Sequence, residues 1–367
     1  SEKILKLSSK IKTLIKDGDR CLLLSENRPE WLISDIAIMN AKGISVPVFT
    51  TYAPSDYEYI IRDCDPTIII ISNNEQFKKI KSYTSNRKII SFEEIETTSF
   101  LIENIYKENT KDEINKNLKR KSSACIIYTS GTSGNPKGVV LSHGGILSNC
   151  EGALNVLRPL IEKKDPIFLT WLPLSHSYEH TVQFIQILIG ARIFYAESLE
   201  KLIANMGEAK PTIMTAVPRF YQNLHTKISI NFNKQNSLKK FLISKTLQLG
   251  KKTLKKESLN LHEKLLNFVC ENLVRKKIQK QFGGNIQTFI SGGGALDKKI
   301  GEFLNSIGLP TLQGYGLTEA SPVVSCNLPG LVRVETVGPI FSTNEVKIAE
   351  DGEVLVKGEN IMLGYWN

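Results

Sequence analysis

The sequence predicts an α/β protein: two α/β lobes with mostly parallel sheets packed together, followed by part of a small β-barrel-like unit. Three observations carry the prediction. Short apolar runs alternate with amphipathic helical stretches, the pattern of βαβ units and parallel sheets. That alternation occurs twice, and 367 residues are too many for one minimal core. Near the end the pattern changes to two short strands around Asp351-Gly352, a dipeptide suited to tight hairpin turns.

Taken in order, strands are expected at 20–24, 44–49 and 67–71, with a helix at 31–41 between the first two. The stretch 73–121 is polar, rich in Asn, Lys and Glu, and offers only a short strand at 88–90. An apolar strand at 124–128 precedes a Ser/Gly/Thr-rich segment. The second alternation places strands at 167–171, 191–195, 213–216, 286–291 and 310–313, and the final hairpin pairs 345–348 with 353–357. The expected divisions are 1–164, 165–330 and 331–367. The chain stops at Gly364-Tyr365-Trp366-Asn367 without a polar tail or helix cap, which reads as truncation.

Hydrophobic residues make up 41% and charged residues 23%, ordinary globular usage, so a folded protein and not a disordered chain is expected. Cys21, Cys64, Cys125, Cys150, Cys270 and Cys326 lie far apart with no metal-site spacing, which fits a reducing, cytoplasmic setting. No run is long and apolar enough for a membrane span, and no signal-peptide pattern follows Ser1. The net charge of +10 is concentrated: residues 227–280 hold 13 Lys and Arg275 against Glu257, Glu263 and Glu271. Leu242, Ile243, Leu247, Leu261, Leu265, Leu266, Val269 and Leu273 recur there at helical intervals. Two readings remain open for this lobe, a solvated cationic face or a peripheral contact with anionic lipid on the inner face of a membrane. Nucleic-acid binding is disfavoured, because aromatic interleaving and nucleic-acid motifs are lacking.

The segment Tyr128-Thr-Ser-Gly-Thr-Ser-Gly-Asn-Pro-Lys-Gly138 is built to wrap an anion. Gly131 and Gly134 let backbone N–H groups approach phosphate oxygens, Thr129, Ser130, Thr132 and Ser133 add hydroxyl donors, and Lys137 adds a point charge. The spacing is not that of a Walker A loop, since Pro136 stands where its second glycine would be. A second segment, Gln313-Gly314-Tyr315-Gly316-Leu317-Thr318-Glu319, offers a ring for stacking, a hydroxyl for phosphate and a carboxylate for a hard cation. Ser291-Gly292-Gly293-Gly294 places three glycines where a backbone can lie against a ligand. His176, in Leu172-Pro-Leu-Ser-His176, sits just past a strand end, and Arg219, in Val217-Pro-Arg219, suits a surface or interlobe ion pair.

YTSGTSGNPKGVVLSH (128–143) and YGLTE (315–319) resemble the two signatures of the adenylate-forming superfamily of acyl-CoA synthetases, luciferases and peptide-synthetase adenylation domains. The LPLSH and VPR stretches are similar to its long-chain fatty acid–CoA ligase branch. The resemblance covers most of the chain. It implies an N-terminal domain of that superfamily in which Tyr315 stacks on adenine, Thr318 contacts the AMP phosphate, Glu319 coordinates Mg²⁺ and Gly292–Gly294 line the acyl and adenine pockets. His176 would lie near the activated carboxylate as a positioning group and not a general base, because carboxylate attack on ATP needs no proton removed.

The implied reaction joins a long-chain fatty acid to AMP with release of pyrophosphate, and CoA then displaces AMP. ATP, Mg²⁺ and CoA are the expected cofactor and co-substrates. The family's ribose-binding aspartate, hinge and mobile C-terminal domain with its catalytic lysine would lie past the position matching Asn367, so weak turnover is expected of this stretch alone. Two alternatives stay open: a fatty acyl-AMP ligase that loads a carrier protein, and a catalytically silent nucleotide- or lipid-binding module.

Overall fold

The computed structural model describes residues 2–84, 87–110, 113–129 and 134–367. Its strands run β1 (Arg20–Leu24), β2 (Ile44–Val48), β3 (Ile68–Ile71), β4 (Lys88–Ser91), β5 (Phe100–Leu101), β6 (Ser123–Thr129) and β7 (Lys137–Ser142). They continue with β8 (Ile167–Thr170), β9 (Arg192–Tyr195), β10 (Ile213–Ala216), β11 (Thr288–Ser291), β12 (Thr311–Gly316) and β13 (Val323–Cys326), then β14 (Asn344–Ile348), β15 (Val354–Gly358) and β16 (Gly364–Trp366).

Two large sheets form, as the alternation predicts. The first has eight strands in the order β16-β7-β6-β2-β1-β3-β4-β5, and the second has six in the order β13-β12-β11-β10-β8-β9. From β6 to β5 the first sheet is parallel, and β7 and β16 extend it antiparallel at one edge. The second sheet is parallel except for β13. A strand buried on both faces should be continuously apolar, and β3 is four consecutive isoleucines, all buried. Each such side chain contributes roughly 1.5–3 kcal/mol relative to exposure.

The helices His143–Ile161 and Ser177–Leu188 form a layer shared by both sheets. Ala124, Ile127, Val139 and Leu141 from the first sheet and Phe168, Ile213 and Leu312 from the second belong to one core around Ile146, Val156, Val182 and Ile185 of those helices. Period-two alternation sorts the other faces: Leu22 and Leu24 pack with Tyr57 and Phe77, whereas Cys21 and Leu23 pack with Trp31 and Ile38. Opposite the shared layer, Leu169, Met214 and Phe289 pack with Met206, Tyr221 and Leu304. The shared layer also holds a buried ion-pair geometry, His180 Nε2 to Asp35 Oδ2 at 3.0 Å. It links the helix Ser177–Leu188 to Pro29–Asn40, which packs on the first sheet.

Four departures from the sequence reading have local reasons. The polar stretch after residue 73 holds more order than expected, including the helix Asn74–Ile80, whose first turn is capped by Asn73 accepting the Gln76 N–H. The apolar run Val139–Leu141, for which no element was expected, lies in a strand that pairs antiparallel with β6. The 331–367 stretch is split: β14 and β15 form their own hairpin, while β16 pairs antiparallel with β7 on the first sheet. Arg275, counted with the cationic lobe, is buried and holds Ser306 O at 2.8 Å, Thr246 O at 3.2 Å and Asn267 Oδ1 at 2.9 Å. The lobe itself is helical as expected, with Pro218–Asn233, Ser237–Leu254, Leu261–Cys270 and Lys276–Gln281. All six cysteines are buried and free, and no helix among the described residues is long and apolar enough to cross a membrane.

Candidate functional site

Ligands in open α/β sheets collect beyond the carboxyl ends of the strands, and the second sheet places its glycine segments there. Immediately after β11 come Gly292–Gly294, and Gly314–Thr318 run along the end of β12. Both segments line one cavity of about 530 Å³, together with His176, Ser177, Tyr178 and Gln313. Its inner part is apolar, walled by Ala153, Val156 and Leu157 of one shared-layer helix, Val182 and Ile185 of the other, and Phe168 of β8.

Close packing explains two of the glycines. A Cβ at Gly292 would sit 2.7 Å from Tyr178 Cζ, so the ring lies against bare backbone there, and Tyr178 donates its hydroxyl to Ile290 O at 3.1 Å. A Cβ at Gly316 would meet Pro322 O at 2.0 Å. The Gln313 side chain is committed to protein at both ends: its Oε1 accepts from Leu296 N at 2.6 Å and its Nε2 donates to Thr336 O at 3.2 Å. It therefore braces the glycine segment against the 336 loop. Tyr315 keeps an exposed ring, and the Thr318 hydroxyl is 2.9 Å from that of Ser177.

His176 caps the helix Ser177–Leu188, with Nδ1 accepting the Tyr178 N–H at 3.1 Å. That bond assigns the neutral ring's proton to Nε2, leaving a donor for the cavity. Protein atoms crowded around the ring hold its pKa below the ordinary histidine value. On the same helix Glu179 is fully buried; burial pushes its carboxyl up to about 7, although the Thr215 hydroxyl donates to it at 2.7 Å. Thr215 in turn lines the cavity. Arg219, at the start of the helix Pro218–Asn233, is exposed and makes no ion pair among the described residues, so the ion pair expected for it is not found.

The anion-wrapping segment is described only in part. Thr129 ends β6 and stands opposite Lys137, the first residue of β7, and Gly134 is exposed. Ser130, Gly131, Thr132 and Ser133 lie outside the described residues. Lys137 and Glu319, which no short sequence window joins, are brought together by Tyr365 of β16. The Lys137 ammonium is 5.2 Å from the centre of the Tyr365 ring, and the Tyr365 hydroxyl donates to Glu319 Oε1 at 2.9 Å. No group of three or more His, Cys, Asp or Glu with metal-site geometry occurs among the described residues. A single carboxylate still fits Mg²⁺, which is commonly held by one or two carboxylates, waters and substrate phosphates.

Motif reading missed Tyr178, Glu179 and Tyr365 as contributors to this site. Glu179 was visible as an acid just ahead of the apolar residues Val182, Phe184 and Ile185. Nothing local marks Tyr365, whose place depends on pairing between β16 and β7.

The chain belongs to the AMP-binding enzyme family, whose model matches residues 2–366. It is 28% identical over 383 residues to fatty acyl-CoA synthetase A of Dictyostelium discoideum, covering 96% of this chain and 56% of that protein. It is 29% identical over 400 residues to long chain acyl-CoA synthetase 4 of Arabidopsis thaliana, covering 99% and 59%. The chain thus spans less than two thirds of these relatives' length. Among solved structures, ATP-bound MatB of Rhodopseudomonas palustris shares the fold at TM-score 0.74 and 20% identity, covering all of this chain and 65% of that one. A long-chain-fatty-acid–CoA ligase of Archaeoglobus fulgidus does so at TM-score 0.73 and 21% identity, covering all of this chain and 68% of that one. The expected α/β fold and family membership are borne out.

Proposed function

We propose that this chain carries the substrate-binding part of a long-chain fatty acid–CoA ligase that works through an acyl adenylate. One observation carries the reading: a single cavity joins an apolar interior between two helices to a mouth formed by Gly292–Gly294, Tyr315 and Thr318. An apolar tail and a polar, nucleotide-bearing head would occupy such a space together. The relatives named as acyl-CoA synthetases support the same chemistry.

In the first step a carboxylate oxygen attacks the α-phosphorus of ATP, the bond to the β-phosphate oxygen breaks, and pyrophosphate leaves. In the second the CoA sulfur attacks the acyl carbon, AMP leaves and the thiol proton is lost. Tyr315 offers its face to adenine, and the Thr318 hydroxyl, held by Ser177, donates to the phosphate. His176 donates from Nε2 to the carboxylate and orients it without taking a proton. Thr129, Ser130, Gly131, Thr132, Ser133, Gly134 and Lys137 form the phosphate-binding segment. Mg²⁺, when bound, neutralises phosphate charge, and Glu319 is the residue that would hold it. Catalysis by these groups is positioning and charge neutralisation.

ATP–pyrophosphate exchange by a protein that joins this chain to the family's C-terminal lysine domain, with palmitate, octanoate or benzoate added in turn, tests the reading. Exchange that depends on palmitate is expected; exchange with benzoate alone overturns the long-chain assignment. ATP binding without exchange for any acid overturns activation altogether. Comparing CoA with a carrier protein as acceptor then identifies the second step.

A further inference from the structure

The segment 360–366 ties together two stretches that the sequence keeps far apart. Asn360 Nδ2 donates to Ala320 O at 3.1 Å and Met362 N to Glu319 O at 2.8 Å, so the backbone of the Thr318–Ala320 turn is held from outside. Leu363 N then donates to Val140 O at 2.9 Å, and β16 continues along β7 with Tyr365 beside Val139 and Trp366 beside Gly138. The far end is anchored as well: Trp366 Nε1 donates to Asp63 O at 3.1 Å, and the Arg20 guanidinium lies 5.5 Å from the Trp366 ring centre. Between these anchors Tyr365 stays 47% exposed, so core packing does not account for its ring. Both of its parts are nonetheless engaged, the ring by the Lys137 ammonium and the hydroxyl by Glu319 Oε1. Lys137 and Glu319 form no ion pair with each other. A direct pair would neutralise both groups, whereas a neutral tyrosine between them holds each one in place and leaves it charged.

We propose that Tyr365 is a positioning residue of the nucleotide site: its hydroxyl fixes the Glu319 carboxylate for Mg²⁺, and its ring holds the Lys137 ammonium for the phosphates. The inference rests on the nucleotide-binding reading above and adds a residue that acts through Glu319 and Lys137. Tyr365 takes Oε1 of the carboxylate, and Oε2 is left without a hydrogen-bond partner among the described residues. A carboxylate bonded at one oxygen keeps its orientation, and partners of this kind typically contribute roughly 10- to 100-fold to metal affinity. The two contacts separate by substitution. Tyr365→Phe removes the hydroxyl and keeps a ring face for Lys137, and Tyr365→Leu removes both.

The test is isothermal titration calorimetry of ATP into the 367-residue chain, with Mg²⁺ or with excess EDTA. Mg²⁺ should tighten ATP binding to the wild type. In Tyr365→Phe that gain should shrink about tenfold, while the affinity in EDTA is unchanged. Tyr365→Leu should also weaken binding in EDTA, roughly two- to fivefold, because Lys137 loses its ring. In a Glu319→Gln background Tyr365→Phe should cost nothing further, since the hydroxyl acts through the carboxylate. Both variants change an exposed side chain and should melt as the wild type does in circular dichroism, which separates lost positioning from a lost fold. An unchanged Mg²⁺ gain in Tyr365→Phe would overturn the inference and leave the nucleotide site standing. A larger gain would show the hydroxyl competing with the cation for Glu319 and would overturn it too. A wild type that binds no ATP in either buffer would overturn the functional reading and this inference together.

Discussion

The helices Ser177–Leu188 and Leu261–Cys270 are opposites. The first buries Glu179, His180, Thr181, Gln183 and Gln186, whereas the second exposes Leu261, Leu265 and Phe268. Each polar residue of the first has partners supplied by other elements: Thr215 for Glu179, Asp35 for His180, Ser321 O for Thr181, and Thr170 for both glutamines. The apolar stripe of the second has no such counterpart in the chain. The first of these departures from hydropathic sorting lies where function is expected, because that helix lines the proposed chemical site.

The sharpest way to break this comparison is His180→Ala. It leaves Asp35 as an unpaired acid in a fully buried site and should destabilise the fold by about 3–5 kcal/mol in chemical denaturation. A loss near zero would mean that the buried polar helix is not held by its partners. Gly292→Ala comes next. Its Cβ must displace the Tyr178 ring, so a loss of about 1–3 kcal/mol is expected together with weaker nucleotide binding by calorimetry.

Glu179 sharpens the comparison through pH. Its carboxyl rises from an ordinary 4.5 to about 7 in the fold, so between those values the native state keeps a proton that the unfolded chain has lost. Stability therefore falls as pH rises through that window and levels off above it, a loss of roughly 3 kcal/mol at most from this group. Melting profiles of Glu179→Gln should lack that slope. The smallest effect belongs to the other helix: Leu265→Glu should change stability by no more than about 0.5 kcal/mol, because nothing in the chain covers the side chain. A large loss there would show that the stripe is packed after all.

Much of the fold was legible because its signals are local. The strand expected at 20–24 is β1, those expected at 44–49 and 67–71 are β2 and β3 with slightly different ends, and the Asp351-Gly352 turn joins β14 to β15. Strands at sheet edges were less legible. Val323–Cys326 and Gly364–Trp366 are short, and antiparallel pairing to a distant neighbour leaves no periodic mark. At the site, the motifs pointed to Tyr315, Thr318 and the three glycines, which the cavity brings together. They did not point to Tyr178 or Tyr365, whose roles are contacts made across the fold.

The sequence by itself determined the α/β class, the order of most strands, the motif residues and the cationic lobe, because periodicity, turn chemistry and charge are properties of neighbouring residues. Only the tertiary structure decided that two helices would be shared between the sheets and enclose the cavity, and that Tyr365 would bridge Lys137 to Glu319. It alone left Leu261, Leu265 and Phe268 uncovered. Those outcomes depend on which distant surfaces pack and pair, a choice made by burial summed over the whole chain.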